Sequence, residues 1–313
     1  MKANDQTWLV TGAAGFIGGA VVRSLSARGA SVVAVVQDVG QAAALRSQGV
    51  DVRVAHLGAG APPTGIVDGI ARCAVLHLAG GRTTLGPGSD AEHERLNVAP
   101  TVALLEALRD TEVSAFILAS TGEVYGAASA PFREDATVRP TSSYAESKLA
   151  AERATLEAER HGIPGTVVRA SVVYGPRQSG PMLIPSLVRA VNGDRALPMT
   201  AGEQVRDFIY VDDVAEAMLR LAVAPGARGE IVNVGRGESV SIRDTVGLLE
   251  QLSGRRAPVV LGAIPYREGE IMDYRMDISK LERLTGFSPR TPLREGLTRT
   301  LADRVPASRP SPV

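Results

Sequence analysis

A doubly wound parallel α/β sheet followed by a smaller C-terminal region is the fold that this 313-residue chain predicts. Three observations carry that prediction. Short apolar runs alternate with helical patterns across the first 170 residues, as right-handed strand–helix–strand units require. A glycine-rich turn, Thr11-Gly12-Ala13-Ala14-Gly15-Phe16-Ile17-Gly18, lies between the first apolar run and the first helical one. Beyond residue 170 the alternation stops, and Gly175-Pro176 and Gly180-Pro181 interrupt the chain.

The elements follow in order. Residues 8–10 form the first strand, and a helix carrying Val21, Val22 and Leu25 runs to Gly29. The β-branched run 32–36 reads as a strand buried on both faces. Strands are expected at 50–54, 74–78, 115–119 and 165–170, with helices at 98–108 and 144–161. In the second half, 205–211 alternates like a strand, and helical patterns recur at 213–222, 242–252 and 279–284. Residues 305–313, with three prolines and little apolar content, read as a disordered tail.

Composition excludes several classes. There are 34 basic and 34 acidic residues, so no surplus of positive charge exists to grip nucleic acid or a membrane surface. The basic set is skewed: Lys2, Lys148 and Lys280 are the only lysines. Cys73 stands alone, so no intrachain disulfide can form, and no run approaches the ~18 apolar residues of a membrane span. His56, His77, His93 and His161 lack metal-ligand spacing, and no metal is expected. A cytoplasmic globular protein is the reading.

The glycine turn has a chemical meaning in its setting. Gly12 permits a tight turn, Gly15 lets backbone amides approach a pyrophosphate, and Gly18 allows helix to pack on strand. A dinucleotide is the expected ligand, and the sheet is of the Rossmann kind. Asp38 lies 20 residues after Gly18 but, with Gln37 before it, two positions beyond the usual place of the carboxylate that bonds the ribose hydroxyls of NAD. No Arg or Lys lies between Gly29 and Leu45 to meet a 2′-phosphate, which favours NAD and leaves NADP as the alternative.

Tyr144 and Lys148 open the 144–161 helix four residues apart, so they share a face. An ammonium beside a phenol favours the phenolate, drawing its pKa down from about 10 and making Tyr144 an acid/base for a sugar or alcohol hydroxyl. Thr121 ends an apolar strand, where ligands of an open parallel sheet gather, and can hydrogen-bond the same oxygen.

These motifs, with His77-Leu78-Ala79-Gly80, Ser120-Thr121, Val124-Tyr125-Gly126, Arg169, residues 173–178 and 206–213, Asn233-Val234-Gly235, 267–270 and 277–280, resemble the extended short-chain dehydrogenase/reductases that act on nucleotide sugars. The resemblance implies Thr121, Tyr144, Lys148 and Glu123 as catalytic residues. It places the cofactor against Gly12, Gly15, Phe16, Ile17, Gly18, Gln37, Asp38, Leu57, Leu78, Ala79, Gly80, Tyr144 and Lys148. It places the nucleotide sugar against Gly81, Thr121, Glu123, Arg177, Met182, Arg206 and Arg267, the two last suiting diphosphate oxygens. It divides the chain into a dinucleotide-binding domain at 1–170, revisited near 205–236, and a substrate-binding domain at 171–204 and 237–304. A homodimer through helices 98–108 and 145–161 is also implied.

The chain departs from its relatives at informative places. Val36 stands where an acidic residue is usual, His56 where Asp is usual, and Val172 where Asn is common. The 4,6-dehydratases carry Asp-Glu after the catalytic Thr, the Asp as acid; here the pair is Gly122-Glu123, which undermines elimination of water. Residues 179–182 are Ser-Gly-Pro-Met where uronate 4-epimerases commonly show Arg-Pro-Asp-Met. The function that follows is a UDP-hexose or UDP-uronate 4-epimerase working by transient oxidation at C4 with bound NAD. UDP-glucuronate decarboxylase, 4,6-dehydratase and NADPH-dependent 4-ketosugar reductase are the alternatives within the family. A non-enzymatic nucleotide-binding protein fits poorly, since Tyr144 and Lys148 are both present.

Overall fold

The computed structural model describes residues 6–58, 65–81, 89–193 and 196–303. The expected tail at 305–313 lies outside them.

The first half builds β1 (Thr7–Thr11), α1 (Phe16–Ala27), β2 (Ser31–Val36), α2 (Val39–Arg46), β3 (Asp51–Val54) and β4 (Arg72–His77). Next come α3 (Ser89–His93), a π-helical turn at Glu94–Val98, α4 (Ala99–Ala107), β5 (Glu112–Thr121), α5 (Ser143–Glu157) and β6 (Gly165–Ala170). The second half contains β7 (Val172–Tyr174), α6 (Leu183–Val191), β8 (Leu197–Pro198), β9 (Val205–Arg206), β10 (Phe208–Tyr210), α7 (Val211–Val223) and β11 (Ile231–Val234). After it follow β12 (Val240–Ser241), α8 (Ile242–Ser253), β13 (Val259–Val260), β14 (Asp273–Tyr274), α9 (Ser279–Thr285) and α10 (Leu293–Ala302).

Seven parallel strands make the main sheet, in the order β11-β6-β5-β4-β1-β2-β3. The chain leaves β1 first toward β2 and β3, then crosses back to β4 on its other side. That reversal opens a crevice beyond the carboxyl ends of β1 and β4. Side chains alternate across the sheet. Trp8, Val10, Ala34, Leu76 and Ile117 face Val21 and Leu25 of α1 and Val214 and Met218 of α7. Leu9, Val33, Val75, Phe116 and Leu118 face Leu104 of α4 and Ala151 of α5. Both faces are therefore covered, which is why these strands read as unbroken apolar runs.

Two departures from the expected elements have physical causes. The run 205–211 is two strands rather than one, because Asp207 between them is fully buried. Its carboxylate accepts the backbone N–H groups of Arg236 (2.7 Å), Gly237 (3.0 Å) and Met276 (3.3 Å) and the Ser171 hydroxyl (3.3 Å). The long helix at 144–161 ends as α5 at Glu157, with its last residues in a 3-10 turn, Ala158–His161. Among the described residues no helix is long and apolar enough to cross a membrane.

Candidate active site

The glycine turn is built from contacts that only glycine tolerates. Gly12 has φ +63, and a Cβ on it would lie 2.6 Å from Leu78 O. A Cβ on Gly18 would stand 2.1 Å from Gly12 O, so the turn closes against the start of α1. No side chain caps α1 and no acidic residue lies in its first turn, so its leading amides keep their positive field for an anion.

A hydrogen-bonded chain ties this turn to β4. Thr11 Oγ1 accepts the N–H groups of Leu78 and Ala79, both at 3.2 Å, and contacts His77 Nδ1 at 2.7 Å. On the other side His77 Nε2 meets Thr101 Oγ1 at 3.1 Å, and Thr101 donates its own proton to Asn97 O at 2.7 Å. Thr101 can therefore only accept from His77, which puts the imidazole proton on Nε2 and lets Nδ1 accept from Thr11. Burial, with the charge of Lys148 adding to it, pushes the His77 pKa down to about 3. His77 is a neutral structural strut.

Asn97, in the π-helical turn, clamps the next loop. Its Oδ1 accepts Gly81 N–H at 3.0 Å, and its Nδ2 donates to Gly81 O and to Ser147 Oγ, each at 3.0 Å. Ser147 in turn donates to Tyr144 O at 2.8 Å. The Gly80-Gly81 loop is thereby held against α5. A Cβ on Gly80 would fall 2.8 Å from Asn97 Oδ1 and 3.8 Å from Lys148 Nζ.

Tyr144 and Lys148 lie on the first turns of α5, whose N-terminus is capped by Ser142 accepting Ala145 N–H at 3.2 Å. The ring of His93 packs edge-on to Tyr144 at 5.8 Å, and His93 Nδ1 meets Ser143 Oγ at 2.9 Å. Lys148 is 6% exposed. Burial lowers its pKa to about 8, and Glu152, one turn further along α5, acts against that fall. Glu152 also receives the Ser120 hydroxyl and forms a forked ion pair with Arg169, which stacks over the Tyr125 ring at 4.8 Å. Thr121 ends β5 and caps the 3-10 turn Gly122–Tyr125, its Oγ1 accepting Glu123 N–H at 3.2 Å.

The other expected site residues are spread more widely. Phe16 and Ile17 open α1, and Leu57 packs at the edge of the apolar layer beyond β3. Gln37 and Asp38 are exposed just past β2; Asp38 Oδ1 caps α2 by accepting Gln41 N–H at 2.9 Å, while Oδ2 has no hydrogen-bond partner among the described residues. Arg206 donates to Ile271 O at 2.7 Å and pairs with Glu270, and Arg267 is exposed in the same loop. Met182, 38% exposed, precedes α6. Arg177, with φ +65, lines a cavity with Arg23, Tyr210, Asp212 and Arg299; Thr121, Tyr144 and Lys148 are not part of it. Sequence reasoning did not assign His93, Asn97, Glu152 or Tyr274 to the site. Only Glu152 left a signal, as the next residue on the Tyr144–Lys148 face of α5.

A dinucleotide fits these residues. The uncapped amides of α1 suit a pyrophosphate. Lys148, 6% exposed, brings its amine beside the Gly80 loop, as a ribose-binding residue requires.

Comparison with known proteins agrees with this geometry. A UDP-glucuronic acid 4-epimerase from Bacillus cereus, solved with UDP-glucuronic acid and NAD, superposes with a TM-score of 0.85 at 29% identity, covering 95% of this chain and 98% of that one. A dTDP-glucose 4,6-dehydratase of Xanthomonas campestris is 32% identical over 94% of this chain and 92% of its own length. An uncharacterized UDP-glucose epimerase of Bacillus subtilis is 34% identical over 66% of this chain, which there spans 65% of that relative's length. Residues 8–235 match the NAD dependent epimerase/dehydratase family, and the chain belongs to it.

Proposed function

We propose that the protein is an NAD-dependent nucleotide-sugar 4-epimerase whose substrate is a UDP-hexose or UDP-uronate. The observation that carries the reading is the position of Lys148. It is a buried amine one turn after Tyr144, held beside the Gly80 loop, with a pKa lowered to about 8. An ammonium placed there keeps positive charge between a phenol and the cofactor ribose.

Bound along the glycine turn, NAD would supply a hydride acceptor that later returns the hydride to the other face of C4. The chain's own residues handle the proton. Tyr144 takes it from the O4 hydroxyl and gives it back, Thr121 hydrogen-bonds the same oxygen, and Lys148 stabilises the phenolate. Glu123, Gly81, Arg177 and Met182 are proposed to meet the sugar. Arg206, which pairs with Glu270, and Arg267, in the same loop as Glu270, are proposed to take the diphosphate. Gly122 offers no acid for loss of water, which favours epimerisation over 4,6-dehydration. The proposal also keeps the division of the chain at residue 170, a cytoplasmic setting, and a homodimer through α4 and α5, whose outer groove exposes Val102.

NMR of UDP-glucose and UDP-glucuronate incubated with enzyme and NAD tests the reading. Formation of the C4 epimer of either is expected; if neither interconverts, the reading fails. Release of CO2 from UDP-glucuronate would replace it with decarboxylation, and consumption of NADPH with a ketosugar would replace it with reduction.

A further inference from the structure

Tyr144 stands in the first turn of α5, where a helix has its fewest internal hydrogen bonds and frays most readily. A side chain that must hold one place there needs support from outside the helix. The segment that joins α3 to α4 supplies it as two rungs. His93 Nδ1 meets Ser143 Oγ at 2.9 Å, and Asn97 Nδ2 donates to Ser147 Oγ at 3.0 Å. The rungs are four residues apart on both sides, so along α5 they stand about 6 Å apart and oppose rotation of the helix about its axis. Tyr144 and Lys148 each follow a rung residue by one position, about 100° further round α5. The first rung carries a second contact. The His93 ring, 3% exposed, packs edge-on to Tyr144, with centroids 5.8 Å apart and planes at 64°. His93 ends α3, and the π-helical turn that carries Asn97 starts at the next residue. Such turns are rare and gather at functional sites.

We propose that His93 is a positioning residue for Tyr144: its contact with Ser143 pins the first turn of α5, and its ring holds the Tyr144 phenol in place for the substrate oxygen. Either tautomer of His93 serves, since Ser143 Oγ can donate to Nδ1 or accept from it. A tyrosine side chain moves between staggered positions, and a buried ring packed against it closes off those on that side. Reacting groups must come within about 3–3.5 Å before proton and hydride can leave, and a displacement of about 1 Å costs rate. His93 therefore acts on the chemical step through the place of Tyr144, and no proton passes to or from it. The inference rests on the proposed role of Tyr144 as acid/base.

The test reads the oxidative half-reaction, which does not need a completed epimerisation. Single-turnover formation of reduced nicotinamide is followed by its near-ultraviolet absorbance, with UDP-glucose, UDP-glucuronate and dTDP-glucose as probes. His93→Ala is expected to slow this step ~10- to 100-fold, with KM within ~3-fold of the parent and bound cofactor unchanged. His93→Asn keeps a polar group for Ser143 without the ring, and His93→Phe keeps the ring without the polar group. Each is expected to fall between His93→Ala and the parent. A parent-like rate in any of the three would overturn the proposal. So would a slower step accompanied by loss of cofactor or a KM raised as much as the rate falls. In a Tyr144→Phe background, His93→Ala is expected to cost no more than ~2-fold; losses that multiply would place its action on another group and overturn the proposal. Should His93→Ala unfold, His93→Phe, which fills the same space, decides. A slower half-reaction with an unchanged Tm supports the proposal, and an unchanged rate overturns it. Reduced cofactor without any C4 epimer defeats the epimerase reading and leaves the His93 comparison standing. Failure of every probe to reduce the cofactor defeats both.

Discussion

Glu152 Oε2 and Arg169 Nη2 meet at 2.7 Å in side chains only 1% and 3% exposed. This pair is the charged floor of the site. Glu152 lies one turn from Lys148, and its carboxylate opposes the fall in the Lys148 pKa that burial causes. Removing one member of a buried pair strands the other, here a guanidinium whose Nη1 already lacks a partner.

Glu152→Gln is therefore expected to lower stability by about 3–5 kcal/mol, read as a lower denaturant midpoint. It is also expected to move the alkaline limb of activity. In the proposed mechanism Lys148 serves in its protonated form, and with a pKa of about 8 that form is lost as pH rises through that value. Without Glu152 the fall comes at lower pH. An alkaline limb that stays in place would show that Glu152 does not act on Lys148.

Tyr144→Phe is expected to cut turnover ~10²- to 10⁴-fold while leaving the cofactor bound. The measurement is single-turnover formation of reduced nicotinamide beside a cofactor-content assay. Undiminished turnover would remove Tyr144 from the proton transfer.

Gly122→Asp places the dehydratase-like acid next to Thr121, and it is expected to bring no dehydratase activity. Its Cβ would run into Met276 and Tyr274, at 2.0 and 2.4 Å, with an overpacking cost of about 1–3 kcal/mol. A thermal melt and product analysis with dTDP-glucose check both halves. An unchanged Tm together with a 4-keto-6-deoxy product contradicts this account of the crowding.

His77 makes stability depend on pH in a defined window. Its folded pKa is about 3, against an ordinary 6.5, so between those values the unfolded chain binds more protons than the folded one. Stability from this group is full above 6.5 and is lost as pH falls toward 3. A His77→Asn variant is expected to be less stable at neutral pH and to have a shallower loss of stability on acidification, measured by urea titrations at several pH values. Equal slopes in the two proteins would contradict the burial argument.

What could be read from the residues was local. Gly12, Gly15 and Gly18 mark a turn because their spacing and flanks are contiguous, and Tyr144 and Lys148 share a face because four residues make about one helical turn. The central strands β1, β2, β4 and β5, buried on both faces, declared themselves as apolar runs, whereas the edge strand β11 did not. Tyr274, Asp207 and Asn97 gave no comparable sign. Each acts on a partner brought near only by the tertiary fold: Tyr274 on Gly122, Asp207 on Gly237 and Met276, Asn97 on Ser147. The run 205–211 misled for the same reason, since Asp207 looks like an outward polar residue until the loops that surround it are known.

The Asp207 carboxylate bears on how this chain can be recombined with others. It is shared by the loop after β6, the segment after β11 and the segment after β14, through Ser171, Arg236, Gly237 and Met276. A chimaera that swaps the region beyond residue 170 while cutting between these positions would leave a buried anion facing foreign amides. Crossovers that move Ser171, Asp207, residues 235–237 and Met276 as one block keep the junction intact.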